Sequence, residues 1–252
     1  MKNDGRIHMS RRLMTVASLV TAGSRLVDAG CDHAWLCIWL VKNGFCPSAI
    51  ASDVREGPLA AAREHVIAFG LDDRIEVRLS DGLRAFRPGE GDSLVLAGMG
   101  GRLMERILSE SAAVRESFRE LILEPQSETA SVRRFLGKLG WEIRQERMVL
   151  EDGKYYPVLR AVRSGESGSG IPDDPDRPFT QEEAFGGLLL DSGDPVLESY
   201  LKREERILEG ILAALAKAGS AKALARRTET ETELKQVREA LCRLERARKA
   251  RL

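Results

Sequence analysis

Short runs of β-forming residues alternate with longer helical segments through the first part of the chain. The β-type runs cover residues 25–29, 49–52, 75–79, 93–97 and 120–123. Among the intervening segments, residues 58–69 form a clear helical pattern, because Pro58 suits a first turn and Gly70 a stop. This alternation is typical of a parallel sheet with crossover helices. The sequence therefore predicts an open α/β domain, preceded by a short helix over residues 10–20 with Ser10 as its N-cap.

The strand pattern changes after Gly140. Residues 141–150 and 156–162 flank the turn sequence Glu-Asp-Gly-Lys at 151–154. Two β-type runs separated by such a turn predict a hairpin. We therefore expect antiparallel strands to close the sheet, and the α/β domain to end near Val162.

The last third of the chain has a different composition. Residues 164–178 are rich in Gly, Ser, Pro and Asp, which is typical of a linker. Residues 196–215 and 221–252 then carry apolar side chains at helical spacing, and Gly219 interrupts them. This pattern predicts an antiparallel, coiled-coil-like helical hairpin. The predicted domains are residues 1–163, a linker over 164–179, and a helical domain over 180–252.

Charge and cysteine content limit the class of protein. The 39 basic and 39 acidic residues cancel, so any nucleic-acid contact must come from a local patch. The four cysteines lack a paired Cys-x-x-Cys spacing and the three histidines lack metal-ligand spacing, so we expect free thiols and no metal. No apolar stretch is long enough to span a bilayer. We expect a soluble, cytoplasmic protein without membrane contact, and a monomer.

The loop after the first predicted strand indicates the kind of ligand. In an open α/β sheet, ligands bind at the carboxyl ends of the strands. A dinucleotide site would carry Gly-x-Gly-x-x-Gly there, whereas Asp28 and Asp32 flank a single glycine, Gly30. Acids repel a diphosphate, but they suit S-adenosylmethionine (AdoMet), which has a sulfonium and an ammonium group and no phosphate.

Two further strand ends carry an acid. Asp53 lies 23 positions after Gly30, close to the spacing at which a carboxylate accepts both ribose hydroxyls. Asp81, beside Gly82, suits the exocyclic amine of the cofactor's adenine. Each acid alone could equally be a helix cap or a turn residue. Acids at three consecutive strand ends together favour AdoMet.

The fourth strand runs into the sequence Ala-Gly-Met-Gly-Gly at residues 97–101. Its glycines allow a close approach of backbone to a ligand beside the methyl acceptor, although a tight turn without a functional role is the alternative. Methyltransferases that act on exocyclic amines usually place Asn or Asp and two prolines at this point, and the chain has neither. An exocyclic-amine acceptor is therefore disfavoured.

Several motifs resemble those of one bacterial enzyme family. They are Ser10-Arg11-Arg12-Leu13, residues 28–36 (DAGCDHAWL), Gly57-Pro58, residues 97–101 (AGMGG), residues 121–126 (LILEPQ) and residues 151–156 (EDGKYY). In this order they resemble the tRNA (adenine(22)-N1)-methyltransferases. The resemblance covers most of the chain and implies a Rossmann-like class I methyltransferase domain followed by C-terminal coiled-coil helices. It also implies AdoMet as cofactor and tRNA as partner.

The resemblance implies roles at the matching positions. The cofactor-binding residues are then Asp28, Gly30, Asp53, Asp81, Gly82, Gly98 and Met99. Arg12 and Asp32 are implied as the catalytic residues beside the acceptor adenine. The remaining positions are assigned to substrate binding, and they are Arg11, His33, Gly100, Gly101, Glu124, Gln126 and Tyr155.

Three positions depart from the family pattern. Glu124 stands where the family commonly has Gln, Gln126 replaces an Asn, and Cys37 stands where Pro is usual. The departures at Glu124 and Gln126 keep open a tRNA-binding or scaffold protein without catalytic activity. The neutral net charge keeps open a methyltransferase with a protein or small-molecule acceptor.

The expected chemistry at adenine N1 needs no base, because neutral adenine already has a lone pair on N1. Catalysis then depends mainly on alignment, and Asp32 would hold the adenine edge or balance the cationic product. Trp35 or Tyr155 could stack on the base, although core packing is favoured for Trp35. His33 either lies beside the site or caps its helix.

Overall fold

The computed structural model describes residues 7, 9–164, 174, 177–216 and 220–251. The chain divides into two compact units, Met1–Asp174 and Pro175–Leu252. Most of the predicted linker and Gly219 lie outside the described residues.

A seven-stranded sheet is the centre of the first unit. Its strands are β1 (Leu26–Ala29), β2 (Ala49–Asp53), β3 (Ile75–Leu79), β4 (Ser93–Met99), β5 (Glu120–Pro125), β6 (Trp141–Glu151) and β7 (Lys154–Arg163). Their order is β3-β2-β1-β4-β5-β7-β6. Strands β1 to β5 are parallel, whereas β7 runs antiparallel to both β5 and β6. The predicted parallel sheet and its closing hairpin are confirmed.

Six helices accompany the sheet in the described part of this unit. They are α1 (Arg11–Leu19), α2 (Trp35–Lys42), α3 (Glu56–Ala68), α4 (Gly101–Glu110), α5 (Ala112–Arg115) and α6 (Thr129–Lys138). As predicted, Ser10 caps α1, where its side chain accepts a hydrogen bond from the Leu13 N–H. Gly70 follows α3 with φ +63°, a left-handed conformation that ends the helix at little steric cost.

The sheet separates two hydrophobic cores. Leu26 and Val95 belong to the core on one face, and Val27 and Leu94 to the core on the other. Both faces of the parallel strands are therefore covered, as their continuous apolar sequences require. The strand order changes direction between β1 and β4, which opens a crevice at the carboxyl ends of these strands.

The second unit is helical where it is described. Its helices are α7 (Gln181–Phe185), α8 (Gly187–Ser192), α9 (Pro195–Leu215) and α10 (Ala221–Lys249). Buried leucines such as Leu201 and Leu244 form its core, and Arg238 of α10 pairs with Glu205 and Glu209 of α9. The predicted C-terminal helices are confirmed. Within the described ranges, no helix is both long and apolar enough to cross a membrane.

Candidate active site

The loop between β1 and α2 forms one wall of the site. Its backbone is bonded to β2, because the N–H groups of Gly30 and Cys31 both donate to the Ser52 carbonyl, at 2.8 and 2.9 Å. Asp32 and Ala34 adopt positive φ angles of 51° and 59°. Such angles are uncommon for residues with a side chain and typify functional loops.

The possible helix-capping role of His33 is wrong. Ala34 is the N-cap of α2, and no side chain caps this helix. His33 instead places Nε2 3.8 Å from the Asp32 carboxylate, and its buried Nδ1 has no hydrogen-bond partner among the described residues. The left-handed backbone at Ala34 turns the chain here, so the helix begins without the usual capping side chain.

Asp28 lies beneath this loop at the end of β1. Its side chain is buried, and the thiol of Cys37 lies 3.8 Å from Oδ2. Burial raises the pKa of Asp28 to about 7, the Cys37 hydrogen bond opposes this shift, and the negative charge of Asp53 adds to it. The carboxyl group therefore titrates near neutral pH.

The two other strand-end acids have different surroundings. Asp53 is buried, and its Oδ1 accepts a hydrogen bond of 2.9 Å from the Arg55 N–H. Asp81 is more exposed and pairs with Arg84 and Arg106, at 3.0 and 3.3 Å. Asp53 is therefore held through Oδ1 by the backbone and the guanidinium of Arg55, whose Nε lies 3.4 Å away, whereas Asp81 has two cationic neighbours.

Two adjoining cavities bring many of the predicted residues together. One of about 320 Å³ is lined by Arg12, Asp28, Gly30, Asp32, Asp53, Gly98 and Gln126, among others. The second, of about 270 Å³, is lined by residues that include Gly30, Asp53, Asp81, Gly82, Gly98 and Met99. The shared residues show that the cavities meet at the carboxyl ends of β1, β2 and β4.

Other predicted residues lie outside both cavity linings. They are Arg11, His33, Gly100, Gly101, Glu124 and Tyr155. Gly100 and Gly101 pack against the loop after β5, where the Gly101 N–H donates to the Ser127 carbonyl at 3.1 Å. These two glycines allow α4 to begin close to that loop.

Glu124 connects three elements below the cavities. This fully buried side chain accepts hydrogen bonds at Oε2 from Arg12 Nη1, at 2.5 Å, and from the Gly98 N–H, at 2.7 Å. Its Oε1 is buried with no partner in the described structure. Burial raises the pKa of Glu124, while the charge of Arg12 opposes this shift.

Sequence reasoning missed two residues at the site, Arg55 and Tyr156. Arg55 lines the first cavity. Trp35, which the sequence analysis names as a possible stacking residue, lines the same cavity, and its ring stacks on His65 with centroids 4.2 Å apart. Tyr156, not its neighbour Tyr155, lies beneath the Arg12 guanidinium, 5.5 Å from the ring centroid. Arg55 could have been predicted to lie at the site, because it follows the strand-end acid Asp53 by two residues.

Comparison with known proteins identifies the family. A profile described as "Methyltransferase domain" matches residues 9–159. The tRNA (adenine(22)-N(1))-methyltransferase of Bacillus subtilis is 34% identical over 187 residues, which make up 74% of this chain and 72% of that protein. The chain belongs to this methyltransferase family.

Solved structures of similar proteins share the fold of this family member. The Bacillus subtilis m1A22 tRNA methyltransferase TrmK has a TM-score of 0.79 at 28% identity, with 94% of this chain and 100% of that chain covered. Streptococcus pneumoniae Sp1610, in complex with S-adenosyl-L-methionine, has a TM-score of 0.79 at 33% identity, with 93% and 100% covered. The predicted Rossmann-like methyltransferase fold is confirmed.

Proposed function

We propose that this protein transfers a methyl group from AdoMet to the N1 nitrogen of adenine 22 in tRNA. The observation that carries this proposal is the pair of adjoining cavities, in which three strand-end acids meet the Gly98 turn in a chain of this family. The transfer chemistry is assigned to a domain of residues 1–163, with a linker over 164–179 and a helical domain over 180–252.

The chemistry of the cavity lining fits AdoMet. Asp28, Asp53 and Asp81 supply carboxylates for a ligand that carries positive charge and ribose hydroxyls. Gly30, Gly82 and Gly98 all have positive φ angles, which lets the backbone approach a ligand closely. When bound, AdoMet supplies an electrophilic methyl group on its sulfonium.

The same cavity offers groups for an adenine acceptor. Asp32 places an exposed carboxylate at its mouth, and Arg12, Trp35 and Gln126 line it. We assign Asp32 to the edge of the adenine and to the positive charge of the product, while Trp35 offers an aromatic surface for stacking. No proton needs to leave N1 before transfer, so these residues act by alignment and electrostatics.

The acceptor base must leave its stack to enter the cavity. Arg11 and Arg12 begin α1 next to the site and are candidates for phosphate contacts. Arg243 and Arg248 in α10 already pair with acids of their own unit. For this reason we assign the RNA contact near the site to α1. We also propose a cytoplasmic location and a monomer, in keeping with a soluble tRNA-modifying enzyme.

Transfer of labelled methyl from AdoMet to unmodified tRNA transcripts tests this function. The modified base is mapped by reverse-transcription arrest and nuclease digestion. We expect N1-methyladenine at position 22, and its absence from a transcript with guanine at that position is the matched control. AdoMet binding without transfer to any of several tRNAs would support a different acceptor or a binding protein without turnover.

A further inference from the structure

We propose that Glu124 is a positioning residue that holds Arg12 at the methyl acceptor and neutralises its charge. The inference rests on the proposed function, because it assigns a role within the acceptor site. It concerns a carboxylate at a position where the family pattern commonly has Gln.

The contacts of Glu124 join parts of the chain that are distant in sequence. Glu124 lies on β5 opposite Ala97 of β4, and Oε2 receives both the Gly98 N–H and the guanidinium of Arg12. Arg12 belongs to α1, 112 positions earlier. A single buried oxygen atom therefore fixes the first helix, the glycine turn and β5 relative to one another.

Arg12 is the member of this pair that reaches the cavity. Its side chain is 21% exposed, whereas that of Glu124 is fully buried. The Tyr156 ring supports the guanidinium from one side, and Glu151 accepts a hydrogen bond of 2.6 Å from the Arg11 N–H. The first turn of α1 is thus held by acids from β5 and β6, with Arg12 directed to the site.

Glu120, the other carboxylate on β5, has contacts that are typical of a structural role. Glu120 uses both oxygen atoms, with donors from Thr21, Ser93 and Arg160. Glu124 uses only Oε2, and its buried Oε1 has no partner in the described residues. An unpartnered buried oxygen costs stability, and such costs concentrate at functional sites.

The charge of Glu124 has a consequence for the reaction. Methyl transfer to a neutral adenine moves positive charge from the sulfonium to the ring. An unpaired Arg12 cation beside the ring would oppose that movement, and a carboxylate in direct contact cancels most of its field. Arg12 can therefore orient the substrate without electrostatic cost to the product.

Glu124→Gln tests the charge while it keeps the shape, because the amide oxygen can accept the same two hydrogen bonds. We expect the single-turnover rate of tRNA methylation to fall by about tenfold, since the hydrogen bond from Arg12 is kept but its acceptor loses the negative charge. AdoMet affinity should change by less than about twofold. Glu146→Gln is the control, because it disrupts a buried pair with Arg133 (2.9 Å) outside both cavity linings; its rate should stay at the wild-type value.

A double-mutant cycle separates positioning from a general structural effect. If Glu124 acts through Arg12, adding Glu124→Gln to Arg12→Met should slow the reaction by less than about twofold further. A full additional loss would overturn the proposal and leave tRNA methylation standing, and so would a wild-type rate in Glu124→Gln. No transfer by the wild-type protein would overturn both proposals.

Arginine side-chain NMR provides a readout that does not depend on the folding of Glu124→Gln. The wild-type protein should show a guanidinium signal protected from solvent exchange that disappears in Arg12→Lys. Absence of this protected signal would show that the Arg12 ion pair does not exist in solution, and it would overturn the positioning role.

Discussion

The thiol of Cys37 donates a hydrogen bond of 3.8 Å to Oδ2 of Asp28, and neither side chain is exposed by more than 4%. The thiol is thus a hydrogen-bond donor to a carboxyl group, that of Asp28, whose pKa burial raises to about 7. A thiol is a weak donor, so it offsets little of the cost of burying a negative charge.

Asp28→Asn should change how stability depends on pH. A carboxyl whose pKa is raised in the folded protein keeps its proton after the unfolded chain has lost its own. The wild-type protein should therefore lose stability as pH rises from about 4 to about 7. In Asp28→Asn this loss should disappear, with a gain of up to about 4 kcal/mol above neutral pH. Urea denaturation at acidic and alkaline pH measures it, and a variant less stable than wild type at alkaline pH would contradict it.

AdoMet affinity should follow the same titration in the opposite direction. A cationic ligand favours the ionised carboxyl, so protonation of Asp28 should weaken binding by up to about tenfold for each pH unit below the pKa. As the pH falls below the pKa of Asp28, the Kd for AdoMet, measured by calorimetry, should rise in the wild-type protein and stay level in Asp28→Asn. Parallel curves for the two proteins would mean that another group controls binding.

Asp53→Asn should weaken AdoMet binding without a comparable loss of stability. Asp53 is held by the Arg55 N–H, so its second oxygen remains available for a ligand hydroxyl. Loss of a hydrogen bond to a charged group should raise the Kd by about tenfold to a hundredfold. Asp72→Asn, in the exposed turn after α3, is the matched control and should bind AdoMet like wild type.

Asp32→Ala should reduce methyl transfer sharply and spare AdoMet affinity. The Asp32 side chain is 67% exposed at the cavity mouth, where an adenine edge would meet it. Because Asp32 has φ +51°, Asp32→Asn is the better variant for charge alone, since Asn tolerates this conformation. Single-turnover rates separate the effects: loss in both variants assigns the effect to charge, and wild-type rates in both would refute the placement of Asp32.

The sequence predicts those parts of the site whose position follows from lying at the end of a parallel strand. Asp28 and Asp53 meet because parallel strands place their carboxyl ends on one edge of the sheet, and the alternating pattern alone establishes that arrangement. The contact between Arg12 and Glu124 could not be predicted in the same way. It depends on how α1 packs beside β5, and no local pattern records that packing.

Details of backbone conformation also escaped prediction. Tyr155 and Tyr156 alternate across β7, so the residue that faces Arg12 depends on which face of the sheet α1 packs against. His33 has the polar character of a cap, but the left-handed Ala34 takes that place. Both outcomes depend on long-range packing or on unusual φ angles, which residue type specifies only weakly.

Gly82→Ala should destabilise the protein more than Gly70→Ala and should also weaken AdoMet binding. Both glycines have similar left-handed φ angles, +58° and +63°, so an alanine meets the same backbone strain of about 1 to 2 kcal/mol at each. Only at Gly82 would the new Cβ lie 2.8 Å from Ile107 Cγ1, whereas the space at Gly70 is open. Overpacking should add about 1 to 3 kcal/mol at Gly82 and displace the loop that carries Asp81. Urea denaturation and calorimetry of both variants measure this, and equal losses of stability would show that the loop accommodates the methyl group.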